Sequence, residues 1–192
     1  MKSSIIKLLA LSLTTLLLGC SSPIKQVIIS PELNMTSSNI FQQKQAQIRF
    51  SDLRRSNHIV QILRIDQAAE LYSPQQPIVN VVEKTLTSAL KANGLQTQPL
   101  AVNQVEVIID SALVNVQQDL LKYGVSNQID FRVVINNAQG TLTKSFKVSG
   151  TGTGPLKADL AVLERDFNQQ LAKLLTQIIE NEDGSLSQYI SG

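Results

Sequence analysis

One thiol in the chain stands where a modifying enzyme could use it. Cys20 is the sole cysteine of 192 residues, and it follows an apolar run, Leu8 to Leu18, and the small residue Gly19. Lys2 and Lys7 give the segment a positive start. A basic beginning, a short apolar core and a small residue before a cut are the parts of a secretory signal peptide. The core is too short to span a bilayer as a helix. A lone cysteine is commonly a small buried hydrophobe. Placed one step beyond such a leader, Cys20 reads instead as a lipidation site.

The other groups with chemical potential are weaker. His58 is the only histidine, which excludes a paired-histidine metal site and would make any histidine-based triad depend on one ring. Beside a polar turn it reads as a surface residue. Asp159, Glu164, Asp166 and the pair Glu182-Asp183 lie on or near a C-terminal helix, where solvated acids are ordinary, so no metal is expected there. The run Gly150 to Gly154 offers backbone amides ahead of a helix, as an anion cradle does. It lacks the Lys-Ser/Thr of a P-loop and the spacing of a dinucleotide-binding loop. Those glycines are expected to let a strand finish, bulge or pack closely against a neighbour. Asp52, Arg54 and Arg55 form the one charged cluster on a turn. Either Asp52 and Arg54 pair with each other, or the cluster meets a partner. With no nucleophile–base pair and no cofactor loop, the sequence predicts a non-enzyme without a cofactor.

Composition narrows the partners. Removing residues 1–19 takes away two lysines and no acids, leaving 15 basic and 15 acidic residues. A balanced chain carries no nucleic-acid footprint and no polybasic membrane patch. Aromatic residues make up 4 % with no tryptophan, which disfavours a stacking platform for sugars or single-stranded nucleic acid. The organisation that follows is a leader over 1–19, a tether over 20–25 and one domain over 26–192. Six chain steps separate Cys20 from Gln26. Fully extended, they reach about 20 Å, so the domain must stay close to the membrane.

The elements that would position these groups follow from apolar periodicity. Gln26 to Ser30, stopped by Pro31, reads as an edge strand suited to strand addition. Gln45 to Phe50 and Ile59 to Ile65 alternate around the polar turn 52–57, which predicts a hairpin. Ser73 to Pro77 offers a helix start, with Ser73 as cap and a proline in the first turn. Ile78, Val82, Leu86, Ala89 and Leu90 then share one helical face up to Asn93-Gly94. Val105 to Ile109 alternates, but Val114 and Val116 fall on the opposite parity, predicting a bulge near Ser111-Ala112. Ile129 to Ile135 and Leu142 to Val148 pair across a turn at Asn137–Gly140. Leu160, Leu163, Phe167, Leu171, Leu174 and Ile178 line a last long helix, with one further turn over 185–190.

Two resemblances add to this reading. Leu17-Leu18-Gly19-Cys20 resembles the lipobox of bacterial lipoproteins. That resemblance implies a Cys20 diacylated on sulfur, released as the first residue and then N-acylated. Ser21 after the cysteine resembles the signal that forwards enteric lipoproteins to the outer membrane. The order of elements is similar to that of the YajG family of lipoproteins. The similarity is carried by Asp52-Leu53-Arg54, Leu90-Lys91-Ala92-Asn93-Gly94, Val105 to Ile109, Leu113 to Val116 and Tyr123-Gly124-Val125 before Ile129-Asp130. The expected fold is α+β, a mostly antiparallel sheet with two main helices on one face. The expected function is that of a non-catalytic periplasmic binding or accessory module. It would be held to the membrane, most simply the outer membrane facing the periplasm, by lipidated Cys20. It would act on an envelope protein partner, with no nucleic acid involved. A carrier of a lipid or other hydrophobic ligand is the alternative.

Overall fold

The computed structural model describes residues 26–180 and 184–190. The leader, Cys20, the tether and Glu182-Asp183 therefore lie outside the described residues. Eight strands form one sheet: β1 (Gln26–Val27), β2 (Gln45–Asp52), β3 (Val60–Arg64), β4 (Glu70–Pro74), β5 (Gln96–Thr97), β6 (Gln104–Gln118), β7 (Lys122–Asn137) and β8 (Gly140–Pro155). Helix α1 (Ile78–Ala92) precedes β5, and α2 (Leu160–Glu180) and α3 (Ser185–Tyr189) close the chain.

The long strand β6 organises the sheet. On one side it pairs antiparallel with β7, which pairs antiparallel with β8, and the two turns are tight enough to make a three-stranded meander. On its other side β6 is flanked in tandem by two short strands, both parallel to it. Gln47 to Asp52 run beside Gln104 to Ile109, and Val60 to Arg64 beside Val114 to Gln118. The expected hairpin between these two segments is therefore not formed, and β2 and β3 are two halves of one interrupted strand. The sheet is mixed rather than mostly antiparallel, because β1 on β4 and β5 on β2 are parallel as well. Alternation of apolar residues reports that a segment lies in a half-buried sheet; it carries no information on strand direction.

The break in that interrupted strand coincides with the predicted bulge. Register is lost in β6 between Ile109 and Ser111, one position ahead of the expected site. Val105, Val107 and Ile109 face the core before the bulge, and Ala112, Val114 and Val116 face it afterwards. One extra residue, Asp110, restores the inward phase.

Helix α1 starts later than expected. Ser73 and Pro74 belong to β4, and Pro77 occupies the cap position without a side-chain hydrogen bond to the first turn. Proline fits here because its fixed φ and missing N–H cost the first turn nothing. Ile78, Val82, Leu86 and Leu90 are buried as the periodicity requires. At the far end Gly94 takes φ +90, and Asn93, only 2 % exposed, knots the helix to the preceding loop. Its side-chain amide donates to the Ala89 carbonyl at 2.9 Å, its side-chain oxygen accepts from the Ser38 amide at 3.1 Å, and its main-chain oxygen accepts from Phe41 at 3.0 Å. The loop expected over 34–44 is thus tied down, with Phe41 driven into the core.

Strand β8 runs through the glycine run rather than ending at it. A Cβ on Gly154 would lie 2.5 Å from the ring of Tyr123, its cross-strand partner, and one on Gly150 would lie 3.2 Å from Gln170 of α2. Gly150 and Gly154 make room for those side chains, which is the close-packing reading, while a Cβ on Gly152 would meet nothing within 4 Å. Helix α2 buries Leu163, Phe167, Leu171, Leu174, Leu175, Ile178 and Ile179. It lies against β7, β8 and α1, so both main helices cover the same face of the sheet.

Candidate functional site

The charged turn stands where β2 leaves β6. Its Asp52 and Arg54 pair with each other through Nε to Oδ1 and Nη2 to Oδ2, both at 2.9 Å, and the Arg54 amide also donates to Oδ1 at 3.2 Å. The Arg54 side chain is only 6 % exposed against 24 % for Asp52, and its Nη1 is buried without a hydrogen-bond partner. Arg55 points to solvent. Of the two readings of the cluster, self-pairing is the one the geometry supplies. The pair staples the loop that joins two collinear strands running in the same direction. His58 nearby shares a 3.1 Å contact between Nε2 and Gln61 Oε1.

A buried guanidinium that loses its carboxylate keeps its desolvation cost. Asp52→Ala is expected to destabilise the fold by about 2 kcal/mol. The double change Asp52→Ala with Arg54→Met should recover most of that loss, because no charge is then left uncompensated. Urea unfolding of the native chain, both single variants and the double variant checks this; equal losses in single and double variants would show that the pair is not what the turn depends on.

A second ion pair marks the bulge. Asp110 receives Arg132 Nε at 2.6 Å and Nη2 at 2.7 Å, on the polar face of the sheet. The guanidinium hydrogen bond holds the Asp110 carboxyl below its ordinary 3.8, with Lys147 adding to the effect and partial burial opposing it. A carboxyl whose folded value is depressed stabilises the native state above its unfolded value, and that contribution disappears as pH falls through the folded one. Asp110→Asn is expected to lower the melting temperature near neutral pH and to flatten its decline below about pH 4. Melts across that range check the sign.

The acids on and before α2 have structural partners. Asp159 caps the helix by accepting from the Ala161 amide at 2.8 Å, and Asp166 pairs with Arg165. Glu164 accepts the Ile28 amide at 2.7 Å, while Asn168 accepts from the Ser30 amide and donates to the Ile28 carbonyl. Those last three bonds close the outer edge that Gln26 to Ser30 was expected to offer for strand addition. The open edge lies at the opposite side of the sheet. Among the described residues no strand pairs with the outer side of β8, which is 16 residues long. Lys144 and Lys147 sit along it, a common guard against self-pairing.

Between α2 and the sheet an open groove of about 200 Å³ is lined by Val114, Tyr123, Val125, Gly150, Leu163 and Gln170. The void among Phe41, Leu86, Leu90, Val105 and Ile178 measures about 20 Å³, room for one water at most.

Comparison with known proteins fixes the family. Residues 31–191 match the model of a family described as uncharacterized lipoprotein, Lipoprotein_16. The chain belongs to this YajG-like lipoprotein family. Membership associates the protein with the cell envelope. Among the described residues no helix is long and apolar enough to cross a membrane. The family match begins beyond Cys20, so it speaks for the body and leaves the anchor to the sequence. No curated protein matches this YajG-like chain. Solved structures share its fold. A Xanthomonas campestris protein of the DUF330 family superposes with a TM-score of 0.54 at 14 % identity, covering 79 % of this chain and 91 % of that one. A second, uncharacterized protein gives 0.50 at 13 % identity, covering 82 % and 98 %. At such identities the likeness is one of fold alone.

Sequence reasoning missed three features of this YajG-like body. They are the Asp110–Arg132 pair, the buried Gln118, and the exposed leucines at the turn that follows it. The first had a signal in the parity change of β6. The last had one in Leu120-Leu121, two adjacent apolar residues that fit neither strand's alternation.

Proposed function

We propose that this lipoprotein is anchored through acylated Cys20, most simply in the outer membrane facing the periplasm, and serves as a non-catalytic accessory module that acts by protein contact. The observation that carries this reading is the open edge of β8, a long strand whose outer side faces no other strand among the described residues. Main-chain groups along such an edge are a template for an added strand. The core void of about 20 Å³ and the open groove of about 200 Å³ beside α2 both fall short of a ligand-sized chamber of several hundred Å³, which favours this over an internal carrier. A non-catalytic role is supported by the local bonds of the groups best suited to chemistry: Asp52 with Arg54, Asp110 with Arg132, Glu164 with the Ile28 amide. Arg55, exposed beside the β2–β3 break, keeps its place as a contact residue.

A photo-crosslinking residue in place of Ser149 on β8, introduced into the full chain in its native envelope, tests the proposal. A discrete protein adduct is expected. Recovery of phospholipid adducts alone would favour the carrier reading.

A further inference from the structure

We propose that the end of the sheet bearing Leu120 and Leu121 rests in the surface of the bilayer to which the chain is tethered; this rests on the anchoring reading above. Leu120 is 96 % exposed, Leu121 78 %, Ile65 77 % and Leu156 66 %. They come from three connections, after β3, between β6 and β7 and after β8, all at one end of the sheet. Ile65, Leu120 and Leu121 line a shallow concavity of about 790 Å³, together with Lys122 and Lys157. Exposed aliphatic tips with Lys122 and Lys157 beside them suit a headgroup boundary with anionic lipid. Acids are present too: Glu70 pairs with Arg64, and Asp119 lies in the turn itself.

The leucines are held out by a built support. Gln118, 6 % exposed, donates to the carbonyls of Asp119 at 2.8 Å and Leu156 at 2.6 Å, and its side-chain oxygen accepts the Ala158 amide at 3.0 Å. The Leu156 amide donates to the Leu121 carbonyl at 2.8 Å. One buried amide thus joins the β6–β7 turn to the connection entering α2. Leu156 adopts φ +60, a left-handed backbone that glycine would take more easily. An exposed leucine in that conformation has no packing role to justify it; a lipid-facing side chain gives it one.

The course of the chain selects the occupant. β1 runs parallel to β4, and β4 antiparallel to β3, so the N-terminal end of Gln26 points toward the same end of the sheet as Leu120 and Leu121. Gln26 is level with Ser73, which lies one step beyond the Val60–Tyr72 pair and hence opposite Ile59. From that level to Arg64, at the base of the tip, is about 17 Å of strand. The six chain steps from Cys20 to Gln26 reach about 20 Å. A membrane holding Cys20 therefore lies within touch of the leucines.

The test uses the lipidated full chain with Leu121→Cys, an exposed position where the change leaves the core untouched. With Cys20 acylated, the new thiol is the only one to label. An environment-sensitive fluorophore is attached there, and in a second variant at Gln139→Cys, in the β7–β8 turn about 50 Å away along the strand. Both are reconstituted in vesicles of phosphatidylethanolamine and phosphatidylglycerol. The label at residue 121 is expected to shift to the blue and to be quenched by brominated acyl chains, while that at 139 stays aqueous. Protein that floats with the vesicles but shows equal, aqueous labels overturns the proposal and leaves the anchor standing. A blue-shifted label that brominated lipid fails to quench places protein at the tip and also overturns it. Protein that stays in the aqueous fraction overturns the anchoring reading, and the proposal with it.

Discussion

Cys20→Ala is expected to abolish fatty-acid incorporation and to remove the protein from vesicle and outer-membrane fractions, leaving the leader of residues 1–19 attached. The physical basis is that one acyl chain binds a bilayer only marginally, whereas two or three hold it in place for the life of the protein. In the proposed anchor all of those chains depend on the one sulfur and on the amine that cleavage before Cys20 would release. Loss of the sulfur would therefore be loss of every acyl chain, and the body offers no membrane-spanning helix among its described residues. The fold should survive, because its buried core starts at Val27. Fractionation with metabolic fatty-acid labelling reads the first effect and thermal melting the second. Label retained in the variant would show that another residue carries the lipid.

Phe131→Ala is expected to cost about 3–5 kcal/mol, a larger stability loss than that of breaking the Asp52–Arg54 pair. Phe131 lies at the centre of β7, fully buried, with Ile109 of β6 on one side and Phe146 of β8 on the other. All three strands are committed by their long registers, so the backbone has little freedom to close over a missing ring. The cavity then adds to the lost transfer energy. A domain of this size has about 5–15 kcal/mol in all, and the melting temperature should drop by roughly 6–20 °C. Leu120→Ala, at an exposed position, is expected to stay within about 0.5 kcal/mol and serves as the control. A loss below about 1 kcal/mol at Phe131 would mean that the meander is not the centre of the core.

Where each residue faces was legible in the sequence, and so was the pairing of β7 with β8 across their turn; which strand β2 and β3 lie beside was not. The inward sets on β6, β7, α1 and α2 follow from periods of two and 3.6, because those periods are fixed by local geometry. The phase change around Asp110 was visible for the same reason. Strand direction is set by long-range pairing, and no local pattern distinguishes a hairpin from two collinear segments flanking one long neighbour. Hence Asp52 to Asn57 reads as a turn in either case. The glycine run misled in the same way: a glycine that ends a strand and one that admits the ring of Tyr123 look alike until the partner strand is in place. Asp52 and Arg54 were found as a cluster from their types and spacing, but the burial of Arg54 depends on tertiary packing. The leucines of the β6–β7 turn came to notice only once the three connections were seen to share one end of the sheet.

The proposed placement of this protein depends on cleavage and acylation at Cys20, and the intact mass of the protein purified from envelope fractions measures both directly. The expected mass is that of a chain starting at Cys20, heavier than its amino acids by a diacylglyceryl group and a further acyl chain. A mass matching the uncut chain from Met1 with an unmodified thiol would contradict that placement.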